Sequence, residues 1–152
     1  MHLPTYVGLL DASLRSLADA FRQVSDGHGE EPDVHHLCKV LAGQIDGQLT
    51  MLVPVVRHYG EKSEQEPERL HATGLDSTRS GGVGLLRDLQ DLYMLGSFVE
   101  MTWTVVGQAA QGLRDRELLH IVHSCEQDTA QQLQWLRTRI KQAAPQALIA
   151  AK

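Results

Sequence analysis

Leu3, Val7, Leu10, Leu14, Leu17, Phe21 and Val24 recur at spacings of four and three, the period at which a helix lays one apolar stripe against its neighbours. The stripe predicts a first helix over about 4–25, with Pro4 tolerated in its first turn and Gly27 and Gly29 offering a stop. A second is predicted over about 32–59, opened by Pro32 between Glu31 and Asp33, with Val34, Cys38, Leu41, Ile45, Gln48, Leu52, Val55 and Tyr59 on one face. The third, about 83–111, carries Leu85, Leu89, Leu92, Leu95, Val99, Trp103, Val106 and Ala110, with Ser80 as its expected cap and Gly112 just past its last turn. The fourth, about 114–143, is read from Leu119, Val122, Glu126, Thr129, Leu133, Leu136 and Ile140 and ends before Pro145.

Between the second and third stripes, about 61–82, no apolar period survives; Pro67, scattered Ser and Gly and a Glu-rich beginning mark a connection. A connection this long is unusual between neighbouring helices of an up-down bundle unless it travels the bundle's length. The second helix would be roughly 42 Å long at the helical rise, a span that an extended connection covers easily. The expected architecture is therefore all-α: one domain over 1–152, a four-helix bundle of two antiparallel hairpins joined by a long crossover. The apolar arc of the third helix is wider than one bundle core requires, which points to a homodimer.

The chain's 152 residues suit a single substantial core. Its net charge is -5 and its 14 basic residues are scattered, which argues against nucleic acid and anionic membrane surfaces as partners. No stretch has the length and apolarity of a membrane span. Cys38 and Cys125 lie in different helical patterns without a CxxC, as expected of free thiols in a cytoplasmic protein. The chain contains no Asn, so it has no N-glycosylation acceptor.

Polar residues interrupt the stripes at mid-height. Folding each hairpin about its turn brings Asp11, Gln48, Glu100 and Glu126 to one level, one per helix, with Thr129 and His123 a turn away from Glu126 on either side. Two carboxylates in a helical core need cations, donors or a shared proton. One reading is a metal centre of Asp11, Glu100, His123 and Glu126, whose hard and borderline donors suit iron, manganese or zinc. The other is metal-free, with Asp11 facing solvent, Glu100 at the outer edge, and Glu126 bonded to Gln48, Thr102 or Thr129.

The four-helix plan with its long crossover resembles the ferritin-like superfamily. Leu86-Arg87-Asp88-Leu89-Gln90-Asp91-Leu92-Tyr93 and Cys125-Glu126-Gln127-Asp128-Thr129-Ala130-Gln131-Gln132-Leu133 are similar to small bacterial ferritin-like proteins, including the stress-associated YciF-like group. The resemblance implies a dimetal site with a Glu on each of two helices and Glu-x-x-His on the other two. Glu100 matches the lone carboxylate of the third helix, Asp11 stands for that of the first, and Glu126 begins the fourth-helix motif. Thr129 occupies the place of that motif's histidine, and the centre of the second helix reads Gln44-Ile45-Asp46-Gly47-Gln48. Those departures imply that an oxidase or iron-handling centre has been lost or rebuilt.

Other chemistry is sparser. His58, Glu117, His120 and His123 fall near one end of the bundle and form a second candidate metal set. Gly81-Gly82-Val83-Gly84 lacks the Lys-Ser or Lys-Thr and the preceding strand of a phosphate loop. Trp103 and Trp135 are expected to fill core or interface volume. The preferred reading is a non-enzymatic bundle without a cofactor, acting through protein partners or an internal pocket. The alternatives are a metal protein reacting with oxygen or peroxide or handling iron, and a carrier of a small apolar ligand near Gln48 and Trp103.

Overall fold

The computed structural model describes residues 1–59 and 74–150. All regular structure among them is helical: α1 Leu3–Gly27, α2 Pro32–Tyr59, α3 Gly81–Leu113 and α4 Arg116–Pro145, followed by one π-helical turn, Gln146–Ala150. No helix among the described residues is long and apolar enough to cross a membrane. The expected connection over about 61–82 lies outside the described residues as far as 73, and its described remainder, 74–80, is irregular.

Several boundaries differ from the sequence expectation for local reasons. Ser80 holds the N-cap position of α3 with extended backbone but makes no side-chain cap bond. α3 continues through Gly112, and the turn is made instead at Arg114, whose φ of 54° is left-handed and whose N–H bonds back to the Ala110 and Gln111 carbonyls. α4 therefore starts later than expected, at Arg116, because the Asp115 carboxylate accepts the Leu118 N–H at 3.0 Å and caps it. At the far end Pro145 is the last residue of α4, where the missing N–H breaks the helical ladder.

The backbone of each helix runs close to two others. α1 packs along α2 and α3, α4 packs along α3 and far less extensively along α2, and the backbones of the diagonal pairs, α1 with α4 and α2 with α3, do not approach closely. Leu10, Leu14, Leu17, Phe21, Ile45, Leu52, Leu89, Leu92, Trp103, Leu118 and Leu136 fill the interior. Burying side chains of this size contributes about 1.5–3 kcal/mol each, offset by the entropy of ordering them. Small residues set the spacing of α3 and α4: a Cβ on Gly96 would stand 2.9 Å from Leu133 Cδ2, and one on Gly107 2.9 Å from Val122 Cγ1.

α4 presents the expected face in part: Val122, Thr129, Leu133 and Leu136 of its stripe are buried, and the buried arc extends to one side of it. Leu118, Ile121, Val122, Cys125, Thr129, Gln132, Leu133 and Leu136 are buried, while Leu119, Glu126 and Ile140 are only partly so. The helix is turned so that Cys125 and Gln132 point inward in place of Glu126 and Leu119. Adjacent residues differ by about 100° in direction, so Cys125 takes the inward position beside Thr129 and leaves Glu126 at the margin of the buried face.

Gly84 tests how the segment before α3 is held. A Cβ there would lie 2.9 Å from the backbone carbonyl carbon of Arg79, which cannot swing aside as a side chain can. Gly84→Ala is expected to destabilise the protein by about 1–3 kcal/mol despite its better helix propensity. Gly47, on α2 with open space where its Cβ would stand, should respond oppositely, with Gly47→Ala adding up to about 1 kcal/mol. Urea midpoints of the two variants measure both effects.

Candidate functional site

One group of buried polar residues lies at the meeting of α2 and α4. Gln48, 2% exposed, reaches across from α2 with its Nε2 3.5 Å from the Cys125 carbonyl oxygen. Thr129 donates its hydroxyl to the same oxygen at 2.9 Å. A turn further along, Gln132 Nε2 donates to Gln44 Oε1 at 3.3 Å. Gln48 Oε1 and the Nε1–H of fully buried Trp103 have no hydrogen-bond partner among the described residues. Each unpaired group costs about 1–3 kcal/mol in an apolar interior.

The carboxylates expected in that layer lie elsewhere. Asp11 is half-buried and bonds to Arg15 of its own helix at 3.0 Å. Glu100 is half-buried, Glu126 lies with Oε1 4.0 Å from the place a Gly107 Cβ would occupy, and His123 is exposed. Among the described residues no three His, Cys, Asp or Glu side chains are grouped so as to hold a metal ion. Asp11, Glu100, His123 and Glu126 therefore do not assemble, and the rotation of α4 is the physical reason for its two members. The second set fares similarly: His58 and Glu117 line one small cleft of about 60 Å³ with Tyr59 and Asp115, whereas His120 and His123 are exposed outside it.

Both cysteines are buried and unpaired. Burial first, and then the nearby charges of Asp33 and Asp128, push the Cys38 and Cys125 thiols up to about 12. At neutral pH they are protonated and poor nucleophiles.

The one buried acidic side chain among the described residues lies at the end of the bundle where α1 turns into α2. Asp88 of α3 is 0% exposed, and Asp88 Oδ2 accepts the Arg79 backbone N–H at 2.9 Å and lies 2.7 Å from His28 Nε2. Its Oδ1 accepts Arg79 Nη1 at 2.7 Å, and the same Nη1 reaches Asp91 at 2.8 Å. An ionised carboxylate only accepts, so Nε2 of His28 carries the proton that is shared. Asp88 interrupts the run Leu85, Leu86, Leu89, Leu92 on the inward side of α3, and an acid at that position was the available signal. At the same end Arg139 of α4 bonds Glu31 at 3.1 Å and Asp33 at 2.7 Å.

Comparisons with protein-family models, with characterised proteins and with solved structures give no match to this chain. Functional assignment therefore rests on the geometry.

Two substitutions separate these clusters. Asp88→Ala leaves the His28 and Arg79 donors without their acceptor and should cost about 3 kcal/mol, whereas Asp91→Ala, which removes only a surface pair, should cost under about 1 kcal/mol in the same denaturation assay. At the opposite end the Tyr59 hydroxyl donates to Asp115 at 2.6 Å. That bond, then burial and the carboxylate's charge, push the Tyr59 phenol from 10.0 up to about 12. A phenol whose pKa is raised on folding contributes its full stabilisation below pH 10 and loses it as pH climbs to about 12. Tyr59→Phe should accordingly be less stable than the parent at pH 8, with the gap closing across that alkaline window in pH-dependent thermal melts.

Proposed function

We propose that this chain is a cytoplasmic, ferritin-like bundle protein of two antiparallel hairpins joined by a long crossover, working as a homodimer through association and not through catalysis. The hairpin reading is supported by contacts that run in opposite directions along each pair. Ser25 bonds His35 and Arg22 bonds Asp46 between α1 and α2; Gly96 faces Leu133 and Gly107 faces Val122 between α3 and α4. The crossover reading is supported at its two ends, since Tyr59 lies beside Asp115, whereas Thr78 lies against Gly27 at the other end of the bundle.

One observation carries the functional reading. Met94 is 71% exposed, Met101 63% and Val105 41%, and Phe98 between them is half-buried. Their spacings of four, three and four make a continuous apolar seam on the outer face of α3, the pattern by which one helix pairs with another. The order is self-complementary. An antiparallel second copy sets Met94 against Val105 and Phe98 against Met101, with the two largest pairs at the centre, as an isologous two-fold contact requires. Asp91 and Gln108 then mark the polar rims of the seam.

Sedimentation equilibrium tests this reading. The parent chain is expected to be dimeric, and Met101→Glu, which places two unpaired carboxylates near the axis, should weaken association by roughly a hundredfold or more with unchanged helical circular dichroism. A parent chain that stays monomeric at high concentration would remove the proposal.

A further inference from the structure

Beside that seam, on the flank shared with α4, runs a groove of about 400 Å³ lined by Gln90, Tyr93, Met94, Arg137, Ile140 and Lys141. The chain carries a net charge of -5, yet this groove has two cations and no carboxylate among its lining residues. Neither Arg137 nor Lys141 is in an ion pair among the described residues, so both charges are open to an anion in the groove. Arg137 and Lys141 are one turn apart on α4, a spacing at which like charges repel and at which an anion between them relieves the repulsion.

The Arg137 guanidinium is already positioned. Its Nη2 donates to the Tyr93 hydroxyl at 2.5 Å, and its Cζ stands 5.5 Å from the centre of the Tyr93 ring. A cation restrained against an aromatic ring loses less freedom when it meets an anion, and its planar fork matches both oxygens of a carboxylate. Met94 and Ile140, with the Tyr93 ring, supply apolar surface beside the charges. A methionine adapts its shape to a flexible chain more readily than a branched residue does. The volume falls within the usual range of small-molecule sites.

We infer that the groove between α3 and α4 binds an amphipathic carboxylate, its head held by Arg137 and Lys141 and its apolar chain lying over Met94, Ile140 and Tyr93. Met94 borders both this groove and the seam, whereas the two cations lie on α4, outside the seam residues Phe98, Met101 and Val105.

The test uses the full chain labelled with ¹⁵N and titrated with decanoate below its micellar concentration, with decanol as the neutral probe. Decanoate is expected to shift amide resonances clustered around residues 90–94 and 137–141, and decanol to bind at least several-fold more weakly. Because both cations are at the surface, Arg137→Gln with Lys141→Gln should fold normally and lose roughly tenfold or more in decanoate affinity. Retention of full affinity by that double variant, equal binding of decanol, shifts scattered away from the groove, or no saturable binding would each overturn the assignment.

Discussion

A carboxylate with no exposure to water is expensive unless its surroundings replace the lost solvation, and Asp88 is such a group. Its replacements come from two places remote from α3's interior: His28, in the connection that follows α1, and Arg79, in the segment that leads into α3. Three donors converge on it, so neither segment can move without leaving a buried charge short of a partner. The close pass of the Arg79 backbone over Gly84 belongs to the same arrangement. One interaction thereby fixes where α3 begins relative to the α1–α2 turn, and the two glycines at the α3–α4 contact, Gly96 and Gly107, let α4 settle close along the helix so placed.

The long elements were legible from apolar spacing alone, because Leu, Val and Phe at four-three intervals leave little choice of period. Helix rotation was harder to read. The stripe on α4 contained Glu126 and Thr129 within reach of one face, and the sequence offered no means of telling that Cys125 and Gln132 would take the inward positions. An α-helix with several polar residues near its apolar arc has more than one acceptable orientation, and the choice is made by what its neighbours leave open. Gln48 and Thr129 were visible as polar interruptions, and both are buried. Asp88 stood in plain view amid leucines, but its partners come from turns, whose placement depends on the finished fold.

The four helix contacts are not chemically alike. Leucines, valines and small residues dominate where α1 meets α3 and α3 meets α4. Where α2 meets α4, polar ties recur from end to end: Arg139 with Glu31 and Asp33, Gln132 with Gln44, Gln48 with the Cys125 carbonyl, and Tyr59 with Asp115. Hydrogen bonds exchange with water at little net gain, whereas apolar contact area does not. Specific pairing along this line sets the register of the two helices, and the apolar contacts elsewhere supply most of the cohesion.

That division leaves the bundle closed unevenly. Among the described helices the α2–α4 contact is the least extensive of the four, and a packed protein opens most cheaply where few apolar contacts must be broken. Gln48 Oε1, which no donor among the described residues satisfies, lies on that line. An almost wholly enclosed amide with an unmet acceptor thus sits where the least packing holds water out.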